Sequence, residues 1–372
     1  MIDRPQVLTD LAAVEAVLPE WRALAATSAC SPLEAPDWLL PLARRYLATD
    51  AVRFLAWRLD GELVGVAPMS LLTSGPAPRR LRQLALWGSV GPRMRGLVDI
   101  VAREDARSEV LASLIDWLGG DRDWDLIRLL RPQAGSSTPA TLRAAAADRG
   151  WTYAGYANLR STTYQLDLPD SIAGWEKHLR PKTRATARRE ARRYAEALGG
   201  ELVAALPAAE VDTGLDAVER LLTERWRESE VYFSADPGFR PLVHEAVPAL
   251  VAEGQAWISV IRDGGEIRAC LVSVAQNGYA MALLVAATHA EEYRAYSPGK
   301  HVFNIGIGEA VRRGCHTYDF LWVGGYKESF WHATPRHLES AMIGRGLVGK
   351  TLARLLARRE GGAVDSVPTV NT

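Results

Sequence analysis

Apolar residues along this chain gather in short runs broken by glycine turns, and between those runs they recur every three or four positions. The first pattern predicts strands and hairpins, the second amphipathic helices. At 52–72, VRFLAWRLDGELVGVAPMSLL is apolar on both sides of Asp60-Gly61, a hairpin signal. It returns at 257–275, where WISVIRDGGEIRACLVSVA turns at Gly264-Gly265. Gly61-Glu62-Leu63 and Gly265-Glu266-Ile267 stand 204 positions apart (265 − 61). In the first half, apolar runs at 81–87 and 97–102 precede a helical pattern at about 104–118 and a strand at 126–130. In the second, a strand at 279–286 precedes a helix at about 300–313 and a strand at 317–322. One order of elements occurring twice predicts a duplicated α/β unit.

Helical patterns separate the two halves. HLRPKTRATARREARRYAEALGG, at 178–200, opens at Pro181 and stops at Gly199-Gly200, and two more follow at 211–228 and 237–253. This organisation predicts a first domain over 1–160 and a second over 161–345 with a helical insert at about 178–253. A tail over 346–372 follows, its last dozen residues frayed. The 372-residue length suits two domains, since a domain takes roughly 150 residues.

Charge narrows the chemistry. Lys plus Arg and Asp plus Glu number 44 each, so the molecule has no global field to attract nucleic acid or membrane, and any anion site must be local. Cys30, Cys270 and Cys315 are too few and too scattered for a disulfide framework or a zinc site, which suits a reducing cytoplasm. No apolar run reaches the roughly 18 residues of a membrane span, and the N-terminus lacks a secretory pattern.

Candidate chemistry concentrates in 281–331, MALLVAATHAEEYRAYSPGKHVFNIGIGEAVRRGCHTYDFLWVGGYKESFW. A helix opening at Ser297-Pro298-Gly299-Lys300 offers free backbone N–H groups, the positive end of its dipole and a lysine, a fit for a phosphate. The other reading of the Ser-Pro pair is a plain helix start. Asp319 stands in an apolar strand, where a carboxylate is costly unless paired or used. It reads either as a base or anchor for an acceptor amine, or as a buried partner of an arginine or backbone N–H. Glu328 is a second possible base. Arg184, Arg188 and Arg192 follow at four-residue spacing with Arg189 and Arg193 beside them, forming a basic stripe. That stripe suits a cofactor 3′-phosphate, an anionic acceptor or an RNA backbone, or it is a solvated face. The seven histidines have no metal-ligand spacing, and no metal is expected.

Read in order, Arg188-Arg189-Glu190-Ala191-Arg192-Arg193, Glu224-Arg225-Trp226, the second hairpin, Tyr296-Ser297-Pro298-Gly299, Asp319-Phe320-Leu321 and Tyr326-Lys327 resemble the GNAT-superfamily acyltransferases of the CelD-like group. The resemblance spans roughly 155–345. That group is in turn similar to the Fem-type aminoacyl-tRNA transferases, which carry two GNAT-like domains in one chain. The resemblance implies an α/β fold of tandem GNAT-like domains, with mixed central sheets flanked by helices, the first domain non-catalytic. It implies acetyl-CoA or another acyl-CoA as co-substrate. In the family a Gln/Arg-x-x-Gly-x-Gly/Ala turn binds the coenzyme A pyrophosphate, and Arg294-Ala-Tyr-Ser297-Pro-Gly299 fits that spacing with Ser297 for the first glycine, Lys300 following. A family tyrosine beyond the fifth strand protonates the leaving thiolate, a role that falls to Tyr326, or else its ring only packs. Lys327 becomes a ligand for substrate phosphate or carboxylate, and Arg188, Arg192 and Trp226 become acceptor contacts.

The function expected is transfer of an acyl group, acetyl from acetyl-CoA, to an amine or hydroxyl of a small molecule or saccharide. Without a well-placed cysteine or a Gly-x-Ser-x-Gly elbow, transfer is direct rather than through an acyl-enzyme. The alternatives are a Fem-type transfer from aminoacyl-tRNA and a catalytically inactive GNAT-fold binding module.

Overall fold

A computed structural model describes residues 2–75, 80–89, 97–121, 123–158, 161–225, 236–321 and 326–361. The chain forms two compact units, Met1–Thr162 with Arg336–Thr372, and Thr163–Pro335.

The first unit opens with β1 (Gln6–Leu8), α1 (Leu11–Ala16), α2 (Leu18–Thr27) and α3 (Pro36–Tyr46). The hairpin β2 (Val52–Leu59) and β3 (Glu62–Ser74), β4 (Leu81–Leu86) and β5 (Val101–Ala102) come next. It continues with α4 (Arg107–Gly120), β6 (Leu126–Leu129), α5 (Thr138–Asp148) and β7 (Thr152–Tyr156). The second unit begins with β8 (Thr162–Asp167), α6 (Ile172–His178), α7 (Pro181–Leu198), β9 (Glu201–Val203), α8 (Val211–Arg225) and α9 (Phe239–Ala252). Its hairpin is β10 (Ala256–Asp263) and β11 (Glu266–Gln276), followed by β12 (Tyr279–Ala287), α10 (Glu291–Arg294) and α11 (Pro298–Arg312). It ends with β13 (Thr317–Asp319), α12 (Tyr326–Trp331) and β14 (Thr334–His337), after which β15 (Ser340–Gly344) and α13 (Gly346–Gly361) return to the first unit.

The two sheets have the same plan. One runs β1-β2-β3-β4-β6-β15-β7 and the other, read from its far edge, β9-β10-β11-β12-β13-β8-β14. Each contains a parallel pair, β4 with β6 and β12 with β13. Both hairpins turn through two left-handed residues, Asp60 and Gly61 (φ 51° and 87°) and Gly264 and Gly265 (φ 52° and 83°). Both slip register just before the turn, between Trp57 and Arg58 and between Ile261 and Arg262. Those slips also lie 204 positions apart (261 − 57), so the duplication extends to the bulge. The fold is two mixed sheets flanked by helices, as the sequence pattern and the resemblance implied.

Four expectations change. The 97–102 run is a strand only at Val101–Ala102, because Leu97 is left-handed (φ 60°) and donates its N–H to Arg131 C=O (2.8 Å). The helical insert contains β9, which pairs with β10. The 317–322 strand ends at Asp319, and Leu321 is left-handed (φ 56°). Most consequentially, the second domain does not run to 345, nor is 346–361 a tail. β15 lies between β6 and β7, all five of its residues buried, and α13 lies over the same sheet. A central strand buried on both faces loses the apolar-polar alternation that would have marked it. The chain thus passes to the second sheet at β8, directly after β7, and returns to the first at β15, directly after β14.

In the second unit α11 covers the sheet. Val302, Phe303, Ile307 and Ala310 pack with Trp257, Leu271, Ala280 and Tyr318. Gly306 allows the close approach, since a Cβ there would meet Leu271 Cδ2 at 2.5 Å.

Candidate active site

β12 stays paired with β11 from Tyr279 to Ala287, but with β13 it shares only Tyr279, Ala280 and Met281. β13 keeps to β8 instead. Asp319 pairs with Gln165, Phe320 N–H donates to Tyr164 C=O (2.9 Å), and Tyr164 N–H donates to Leu321 C=O (3.2 Å). The two parallel strands therefore part at Met281 and Asp319. Among the described residues no strand takes up the β12 edge beyond that point. There the β11–β12 register also slips: Val272 faces Leu284 and Ser273 faces Ala282, leaving Leu283 as an extra residue in β12. A bulge re-aims the backbone groups beside it.

At the far end of that edge, Gly299 lies against Ala287, where an added Cβ would sit 3.6 Å from Ala287 Cβ. Gly299 is the second residue of α11. Ser297, ahead of Pro298, is left-handed (φ 48°, ψ 52°), and its side chain makes no capping hydrogen bond. A non-glycine residue held so costs roughly 1–2 kcal/mol, which the turn absorbs. Lys300 Nζ lies over the Phe330 ring at 5.5 Å. Arg294 is 78% exposed and pairs with Glu291 at 3.4 Å, so it stands at the rim.

α7 lies across this turn. Pro181 opens it and left-handed Gly199 caps it. Tyr194 is buried, donates to Asp263 Oδ2 (2.9 Å) and meets the Tyr296 ring edge-on at 5.8 Å. Burial and the Asp263 contact push its phenol pKa up. Arg193 lies 6.0 Å over Tyr296, which brings that end of the basic stripe to the turn before α11. The other end is partly occupied: Arg188 pairs with Glu176 (2.7 Å) and Arg184 donates to Glu176 C=O (3.0 Å). Arg192 is exposed.

Asp319 is fully buried. Its Oδ2 accepts from Tyr279 OH (2.6 Å), Thr163 Oγ1 (3.0 Å) and Gln165 Nε2 (3.0 Å), and its Oδ1 accepts from Leu321 N–H (2.7 Å). Burial pushes its pKa up against these donors. With its lone pairs engaged by β8, β12 and the chain leaving β13, Asp319 clamps the strands where they diverge. Among the described residues no arginine joins these contacts, and of the two sequence readings the packing favours the buried partner of a backbone N–H.

Lys327 is not a surface lysine. Its Nζ lies 3.4 Å over Phe303, 4.7 Å over Phe320 and 5.0 Å over Trp331, and burial pushes its pKa well down. Glu328, one residue on, is exposed. Tyr326 opens α12, with its side chain outside the described residues, and Trp226 lies outside them altogether.

Sequence reading passed over His301, which follows Lys300. It is 5% exposed, its Nε2 lies 3.6 Å from Glu190 Oε2, and burial, helped by Lys300, pushes its pKa down to about 4. A histidine beside Val302-Phe303 on an apolar helix face was the available signal. The Leu283 bulge had none. Asp216, Glu219 and His244 bring possible metal-ligand atoms within 4.8 Å of one another, but Arg240 already pairs with both acids (3.0 and 2.7 Å).

The solved structure of FemX superposes with a TM-score of 0.62 at 13% identity, over 91% of this chain and 98% of that one. The C-terminal domain of a putative lysylphosphatidylglycerol synthetase from Agrobacterium fabrum gives 0.51 at 11%, over 95% and 99%. A protein of unknown function from Bacteroides thetaiotaomicron gives 0.51 at 12%, over 93% and 100%. At such identities these likenesses speak for the fold. No curated protein matches the sequence. Residues 181–330, within the second unit, match the family model described as an acetyltransferase (GNAT) domain.

Proposed function

We propose that the second unit moves an acyl group, acetyl in the simplest case, from acyl-CoA to an amine or hydroxyl of a small molecule or saccharide. The observation that carries this reading is the parting of β12 from β13 at the Leu283 bulge, on an edge that ends at the Ser297-Pro298-Gly299 turn. An open strand edge accepts an extended amide-bearing arm, and a helix start accepts its diphosphate. Bound acyl-CoA supplies a thioester whose C–S bond breaks as the acceptor's C–N or C–O bond forms. Backbone N–H groups at the bulge face the carbonyl oxygen as its charge grows. Ser297, Gly299 and Lys300 hold the diphosphate, with Arg294 at the rim and Arg193 beside Tyr296. Tyr326 gives its proton to the departing thiolate, and Glu328 takes the acceptor's proton. Arg188, Arg192 and Trp226 are assigned to the acceptor side, whereas Lys327, buried over the Phe303, Phe320 and Trp331 rings, does not fit the expected ligand for substrate phosphate or carboxylate. Direct transfer is supported by three buried cysteines whose thiols burial pushes up, Cys315 to about 11.

The first unit is read as non-catalytic. Glu104 and Asp105 stand in the turn before α4, where an anion would have to dock. Arg107, at the helix start, is engaged by Asp99 (3.0 Å), Thr138 (3.2 Å) and Ile100 C=O (2.9 Å).

Calorimetry with acetyl-CoA tests the proposal. Binding is expected in the parent and absent in Gly299→Asp, which puts a carboxylate where anionic oxygens belong. Because the site has room for a Cβ, that variant stays folded, and unchanged affinity would remove the turn from the mechanism. The second reading, transfer from aminoacyl-tRNA, is favoured by the likeness to FemX together with the arginines of α7. No acyl-CoA binding, with transfer from charged tRNA, would select it. Binding of neither donor would leave the inactive module.

A further inference from the structure

Independently of acyl transfer, α13 presents an unusual surface. Its inner face is small: Gly349, Ala353 and Ala357, four apart, are buried on the first sheet. A Cβ on Gly349 would lie 2.2 Å from Asp125 C=O, so the helix backbone sits directly on the sheet. That seating fixes which face points away. On it Leu347, Val348 and Leu355 are 85%, 67% and 53% exposed, and among the described residues they are three of the four large apolar side chains so exposed. Scattered singly such residues need no explanation, but gathered on one helix face they mark an interaction surface. Arg354, Arg358 and Arg359 are exposed among them. The helix has one acid, Glu360, and it is turned to Arg128 (3.2 Å).

We propose that this face seats α13 in the plane of a bilayer surface rich in anionic phospholipid. Charge complementarity selects the occupant. Leucines interleaved with arginines and free of acids let apolar tips enter the acyl boundary while guanidinium groups meet lipid phosphates. A second copy pairing through the same face would set arginines against arginines. A nucleic acid would leave Leu347 and Val348 with nothing apolar to cover them. At 16 residues the helix is about 24 Å long, enough to lie on a bilayer. None of the described helices is long and apolar enough to cross one.

Co-sedimentation of the full chain with vesicles tests this. Binding is expected to mixed phosphatidylcholine–phosphatidylglycerol vesicles, weakening with salt, and not to phosphatidylcholine alone. Replacing Arg354, Arg358 and Arg359 by Gln should cost about fivefold in partition per arginine. Leu347→Asp with Leu355→Asp should abolish it, and neither set should shift thermal unfolding, since the side chains are exposed. No binding, equal binding to both vesicles, or a loss with the arginine set but not the leucine set would overturn the proposal. So would a dimer in solution that Leu355→Asp dissociates, because the face would then belong to a second copy.

Discussion

At the scale of residues, the useful distinction is between groups that hold the site open and groups free to react. Asp319 was legible as a carboxylate in an apolar run, but Thr163, Gln165 and Tyr279 reach it from other strands, and no local pattern announces them. As a clamp, Asp319→Asn should turn an amide N–H toward a donor now bonded to the carboxylate and cost about 1–3 kcal/mol of stability. The pH profile of turnover should keep its shape. A loss of turnover that recovers at high pH, with stability intact, would restore the base. Tyr326→Phe, by contrast, should lower turnover on the order of 100-fold with acyl-CoA affinity unchanged, and full activity would end its assignment as the acid. A second carboxylate makes a stability prediction. Burial, aided by the charge of Asp99, pushes the Glu34 pKa up to about 8 from the usual 4.5. The folded state then holds a proton that the unfolded chain releases, so this contribution to stability is full below about 4.5 and is lost as pH rises through about 8. Urea midpoints should fall across that window, and Asp99→Asn should flatten the slope whatever it does to the absolute value.

At the scale of elements, local chemistry decided what could be foreseen. Asp60-Gly61 and Gly264-Gly265 specify their turns by themselves, and Pro181 and Gly199 bound α7, so the hairpins and the basic helix were readable. β15 was not, because five buried residues carry no period and their partners on β6 and β7 are remote in the chain. The length of β13 was equally hidden, since it ends where the chain must leave β12. What α7 does follows from where it lies. With Arg193 near the α11 turn and Arg188 tied to Glu176, replacing Arg188, Arg189, Arg192 and Arg193 by Ala should weaken tRNA binding and flatten its salt dependence if charged tRNA is the donor. With acyl-CoA as donor most turnover should survive, apart from what Arg193 adds beside the diphosphate. Retained turnover with acetyl-CoA, and none from aminoacyl-tRNA in the parent, would eliminate the second reading.

At the scale of the whole molecule, a duplicated plan has been used asymmetrically. Strand order, parallel pair and hairpin bulge recur, so the first unit has the same frame as the proposed acyl-CoA site. Its details oppose one. Where α11 starts at a serine, a proline, a glycine and a lysine, α4 is preceded by Glu104 and Asp105, whose negative charge stands where an anion would have to approach the positive helix end. Arg107, the cation nearest that start, is spent on Asp99 and on the loop carrying Ser136 and Thr138. Titration with acetyl-CoA should therefore reach a stoichiometry of one per chain, and Gly299→Asp should remove all the binding heat rather than half of it. Two equivalents, or a residual second-site isotherm in Gly299→Asp, would mean that the first unit binds the donor despite its acids. Replacing Glu104 and Asp105 by Gln and Asn should then strengthen that residual site, because it removes the charges that compete for the helix end.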